Sequence, residues 1–125
     1  MAIPAGSNMT QGIIDRSALL HTAGEDHELG IELLEIFVRT FAQDIETLAT
    51  AIQADDIQGA RHILHRLKGS LQILGVHHVA VRIDRISESL YAPIAVEQAR
   101  SLKDLFEYFQ AIMDDATSIL DAGTL

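Results

Sequence analysis

Asp55-Asp56-Ile57-Gln58-Gly59-Ala60-Arg61-His62-Ile63-Leu64-His65-Arg66-Leu67-Lys68-Gly69-Ser70-Leu71-Gln72-Ile73-Leu74-Gly75 carries a complete helix signal, from capping residues to stop. Ile57, Ala60, Leu64, Leu67, Leu71 and Leu74 recur every three or four positions, the spacing that lines one face of an α-helix. Asp55 and Asp56 are capping residues at its start, and Gly75 is a stop signal at its end. Gln58, Arg61, His62, His65, Lys68, Gly69 and Gln72 fall on the other side, so His65 is expected in solvent. A helix this apolar along one stripe requires other stripes to bury it.

The same periodicity recurs along the chain. A short first helix runs from Asp15 to Ala23, with Gly24 as its stop. Asp26 caps a long helix reaching Gln53, with a seam of Leu34, Phe37, Phe41, Ile45, Leu48 and Ile52. After Gly75 a fourth helix carries Val76, Val79, Ile83, Ile86 and Leu90. Pro93 suits the first turn of a fifth, whose seam is Ala99, Leu102, Phe106, Phe109, Met113, Ala116 and Leu120. Strand-like alternation is lacking. Four long seams joined by short connections predict an all-α protein: an antiparallel up-down four-helix bundle with an additional short N-terminal helix.

Composition bounds the function. At 125 residues and 48% apolar content the chain makes one domain with one core. Residues 1–14 are expected to be a flexible tail, of the kind an expression vector can leave, and residues 15–122 the bundle. With no cysteine there is neither a disulfide framework nor a thiolate metal site. No apolar run approaches the ~20 residues of a membrane span, and the N-terminus lacks the pattern of a secretion signal. A cytoplasmic location is therefore expected. The net charge is −9, yet residues 61–85 hold five basic side chains against one acid. Such an island steers an acidic partner toward the histidine region. It lacks the interleaved aromatics of a nucleic-acid surface, so no nucleic-acid partner is expected.

The chemistry concentrates at His65. A glycine inside a helix costs roughly 1 kcal/mol relative to alanine, and at i+4 Gly69 leaves the surface beside the imidazole bare. Lys68, at i+3, adds a nearby ammonium. An accessible imidazole with an adjacent cation suits the carriage of a phosphoryl group. His62, His65, His77 and His78 offer a rival metal site, but no recognised ligand spacing is completed and no metal is assigned.

His65-Arg66-Leu67-Lys68-Gly69-Ser70, with Gly75 ten residues after the histidine, resembles the motif of histidine-containing phosphotransfer (HPt) domains. The preceding helix, with Leu33-Leu34-Glu35-Ile36-Phe37, Asp44-Ile45, Leu48, Ala51-Ile52 and Asp55-Asp56, is also similar to that family. The resemblance covers residues 15–120. It departs at Leu64, where the family often has alanine, and at Leu71 and Gln72, where small residues are common.

The resemblance implies a phosphorelay intermediate, with His65 taking a phosphoryl group from a receiver phospho-aspartate and passing it to another receiver. It implies Lys68 for phosphate charge stabilisation, Gly69 for steric access, and Arg61, His62, Arg66 and Gln72 for docking. Ser87 or Glu88 would orient the imidazole. The implied partners are response-regulator receiver domains and a hybrid sensor histidine kinase. No cofactor is expected on this chain, and the magnesium ion of the reaction belongs to the receiver. The sequence has no Gly-rich phosphate loop or kinase-type ATP motif, so a phosphoryl carrier without ATP-dependent kinase activity is expected. A self-contained bundle is expected to be a monomer. A helical docking module that is never phosphorylated is the alternative.

Overall fold

The computed structural model describes residues 12–92 and 96–125. Five helices follow one another: α1 (Arg16–Thr22), α2 (His27–Gln53), α3 (Ile57–Ile73), α4 (Ala80–Ser89) and α5 (Val96–Ala122). No strand occurs among the described residues. Each long helix packs on its neighbours in sequence, α5 closes back onto α2, and α1 lies across α2 and α3. The result is a four-helix bundle with a short N-terminal helix on its flank.

Local chemistry sets the helix starts. Asp15, Asp26 and Asp56 each accept a hydrogen bond from the backbone N–H three residues on: Ala18, Leu29 and Gly59. Each satisfies a donor that a helix start leaves without an intrahelical partner. The end of α3 is a Schellman turn. Val76 N–H donates to Leu71 C=O (2.9 Å) and Gly75 N–H to Gln72 C=O (3.1 Å). Gly75 is required twice over. Its φ is +74°, and a Cβ there would stand 2.6 Å from the Cβ of Asp15. The Asp15 N–H donates to Leu74 C=O at 3.1 Å, tying α1 to the end of α3.

Three expectations shift. The fourth helix begins at Ala80, not near Val76. Val76 and Val79 are buried all the same, as apolar anchors of the connecting turn. On α5 the buried line is Leu102, Leu105, Phe109, Ile112, Ala116 and Ile119, while Phe106, Met113 and Leu120 flank it and Ala99 is exposed. Two adjacent apolar lines there both satisfy the three-four spacing, and packing selects the one facing α2. On α2 the buried line passes through Asp44 and Ala51, leaving Ile45 and Ile52 only partly covered.

The N-terminal boundary also moves. Residues 1–11 of the expected tail, like Pro93, lie outside the described residues. From Gly12 onward the chain is anchored rather than loose. The Ile13 and Ile14 N–H groups both donate to Asp115 Oδ2 on α5 at 2.8 Å, and Ile14 is buried. Sequence spacing could not expose this link, since its partners lie about a hundred residues apart. Phe41 and Phe109 meet edge-to-face at 5.3 Å in the centre of the core. That packing stiffens α2 and α5 behind the helix that carries His65.

Candidate functional site

His65 sits in the middle of α3 with its side of the helix in solvent. Leu64 and Leu67 on either side of it are fully buried, so the backbone beneath the imidazole is fixed by the core. At 3.6 residues per turn, Lys68 projects about 60° from His65 toward α4, whereas Gly69 projects about 40° the other way, toward α2. The ammonium and the bare patch therefore lie on opposite flanks of the imidazole. An added Cβ at Gly69 would meet nothing within 4 Å. No packing demand of the fold explains the absence of a side chain there.

On the α4 flank lies an open cleft of about 540 Å³, lined by Gln58, Arg61, His62 and His65 from α3 and by Ile83, Asp84, Ser87 and Glu88 from α4. Lys68 Nζ donates to Asp84 Oδ1 at 2.9 Å across the helix pair. Ser87 and Glu88, the residues expected to orient the imidazole, share the cleft with it. Among the described residues no hydrogen bond or ion pair engages His65. Ser87 instead serves Arg61, whose Nε donates to the Ser87 carbonyl (3.1 Å) and hydroxyl (3.2 Å). The Arg61 guanidinium also donates to the Tyr91 hydroxyl and lies against that ring, 4.1 Å from its centroid.

The basic island is consequently less free than its charges suggested. Arg66, expected at the docking face, reaches the other way and pairs with Asp44 of α2 at 3.3 Å. Asp44 is 5% exposed, the single buried charged residue among those described. Arg61 and Arg66 thus act first as ties from α3 to α4 and α2. His62 and Gln72 remain exposed with no bond to another described side chain.

On the α2 flank the surface turns apolar. Ile73 (57% exposed) and Ile36 (51% exposed) border a groove of about 290 Å³ floored by Leu19, Phe37 and Leu74. Ile73 is one turn beyond Gly69 and about 80° from His65 on the helix surface. The bare strip at Gly69 therefore connects the imidazole to this groove. The sequence carries a signal for it, because Ile73 interrupts the otherwise polar outer face of α3.

His77 and His78 belong elsewhere. They lie in the turn before α4, where the His78 Nε2 is hydrogen-bonded to the Tyr108 hydroxyl at 2.5 Å. The described residues contain no group of three His, Cys, Asp or Glu side chains placed to hold a metal. No helix among them is long and apolar enough to cross a membrane.

No curated protein matches this chain. Among solved structures, the crystal structure of the HPT domain from a sensor hybrid histidine kinase of Shewanella is similar, with a TM-score of 0.71 at 17% identity. That likeness covers 88% of this chain and 95% of that one. At that identity it speaks to the helical architecture alone. The family model of the Hpt domain matches residues 32–118, from the first turns of α2 nearly to the end of α5 and across the whole His65 helix. The chain belongs to the Hpt domain family, with a phosphotransfer role in two-component signalling as a phosphocarrier rather than a kinase.

Proposed function

We infer that this chain is a phosphorelay intermediate in which His65 takes a phosphoryl group from the phospho-aspartate of one receiver domain and passes it to another. The observation that carries this reading is an exposed imidazole at the centre of a core-anchored helix, with open space above Gly69 on one side and an ammonium on the other. Phosphoryl transfer asks a protein for in-line positioning and charge stabilisation more than for covalent chemistry. A rigid helix supplies the first and Lys68 the second.

In the step, the Nε2 lone pair of neutral His65 attacks phosphorus. The N–P bond forms as the P–O bond of the aspartyl phosphate breaks, and the bonding pair leaves with the receiver carboxylate. Nδ1 keeps its proton until solvent removes it. The reverse sequence loads the second receiver. The receiver supplies the magnesium ion, and its docking face covers the Gly69 strip and the apolar groove at Ile36 and Ile73, with His62 and Gln72 at the rim. Exposed apolar surface bordered by polar residues is what such docking uses. The partners on this reading are response-regulator receivers and a hybrid sensor kinase, met in the cytoplasm by a monomeric bundle.

Label transfer from a phosphorylated receiver tests the reading. The wild-type chain acquires acid-labile, base-stable label, and His65→Gln acquires none. A receiver that binds the wild-type chain without transferring label would make it a docking module instead.

A further inference from the structure

The ammonium one turn from His65 is already engaged. Lys68 Nζ lies 2.9 Å from Asp84 Oδ1, and that carboxylate lines the same cleft as the imidazole. Lys68 is 23% exposed and Asp84 59% exposed, so the pair sits at the cleft edge, where water competes with it. No second cation among the described residues pairs with Asp84. Arg61, the arginine that lines the cleft, is committed to Ser87 and Tyr91. One ammonium thus faces two claimants: a carboxylate on α4 and whatever anion His65 carries.

On the phosphocarrier reading, we propose that Asp84 is a positioning residue. It latches Lys68 to α4 while His65 is unmodified and yields it when a phosphoryl group arrives. A phosphoryl group brings up to two negative charges and three acceptor oxygens, against the single charge of a carboxylate. Lys68 has a long, flexible stem and swings as a point charge, without the fixed geometry an arginine would impose. The latch holds the bare cleft electrically neutral at its edge. It also sets how strongly His65 holds its cargo, because each phosphorylation has to break the Lys68–Asp84 pair. Asp84 thereby keeps the phosphohistidine poised for onward transfer.

Phosphoimidazole tests this without any partner protein. Its N–P bond breaks as the His65 N–P bond forms, and imidazole leaves. The exchange constant is read by phosphorus NMR, with the His65 resonance identified by its loss in His65→Gln. Asp84→Asn should raise the constant about fivefold, the upper end for an exposed ion pair. Asp84→Glu should keep it within about twofold of wild type. In a Lys68→Ala background the gain from Asp84→Asn should fall below about twofold, since the coupling partner is gone. An unchanged constant in Asp84→Asn would overturn the latch. So would a full gain in the Lys68→Ala background, which would mean that Asp84 acts on the phosphoryl group by direct repulsion. A wild-type chain that forms no phospho-His65 would overturn the carrier reading together with the latch.

Discussion

Gly69 separates stability from function more sharply than any other position. It lies inside α3, and a Cβ there would meet nothing within 4 Å. Replacing it by alanine therefore carries no steric penalty within the fold and removes a conformational cost of about 1 kcal/mol. For a chain of this size that gain corresponds to a rise of about 4 °C in Tm. The same Cβ intrudes on the strip between His65 and the apolar groove, where a receiver would close. Gly69→Gln, which fills the strip more fully, should slow phosphotransfer about tenfold or more, in line with the 1–3 kcal/mol typical of overpacked contacts. Differential scanning calorimetry and receiver-to-His65 label transfer, run on both variants, measure the two effects. Variants that are stabilised and still transfer at the wild-type rate would refute the role given to the bare strip. A destabilised alanine variant would refute the structural premise.

Other consequences concern the ties around the site. Arg66→Ala strands the buried Asp44 carboxylate and should cost about 1–2 kcal/mol in urea unfolding, between the values for exposed and buried pairs. A purely docking role would leave stability unchanged. Asp115→Ala removes the acceptor of the Ile13 and Ile14 N–H groups and should cost about 2 kcal/mol. The loss should appear as faster hydrogen exchange at those two amides. Burial holds the Tyr108 phenol above its ordinary pKa of 10.0, against the opposing pull of Arg82. The unfolded chain ionises this group first, so its contribution is intact below pH 10 and is lost as the pH climbs toward the raised folded value. Tyr108→Phe should flatten that part of the curve of stability against pH.

Much of the fold was legible because helix signals are local. Asp15, Asp26 and Asp56 cap where their positions predict, and Gly24 and Gly75 both take the positive φ expected of stop residues. What sequence could not reveal required partners distant along the chain. Asp44 reads as an ordinary polar residue, yet it lies on the buried line because Arg66 of the next helix reaches it. Asp84 reads as the odd acid in a basic window, yet it holds Lys68. The N-terminal tail reads as loose because the Asp115 that anchors its end lies on the last helix. Arg61 and Arg66 were legible as basic but not as engaged. Burial of the α5 seam was ambiguous wherever two apolar lines ran side by side. The solvent face of α3, by contrast, follows from its seam alone, and it places His65 in the open.

On the phosphocarrier reading, the His65 ring nitrogen itself bears the transferred phosphoryl group. Phosphorus NMR of the 15N-histidine-labelled chain, after incubation with a phosphorylated receiver, tests it most directly. A phosphorus resonance split by a directly bonded 15N, and lost in His65→Gln, is the predicted result. A spectrum with no such splitting, or one that survives the substitution, would contradict it.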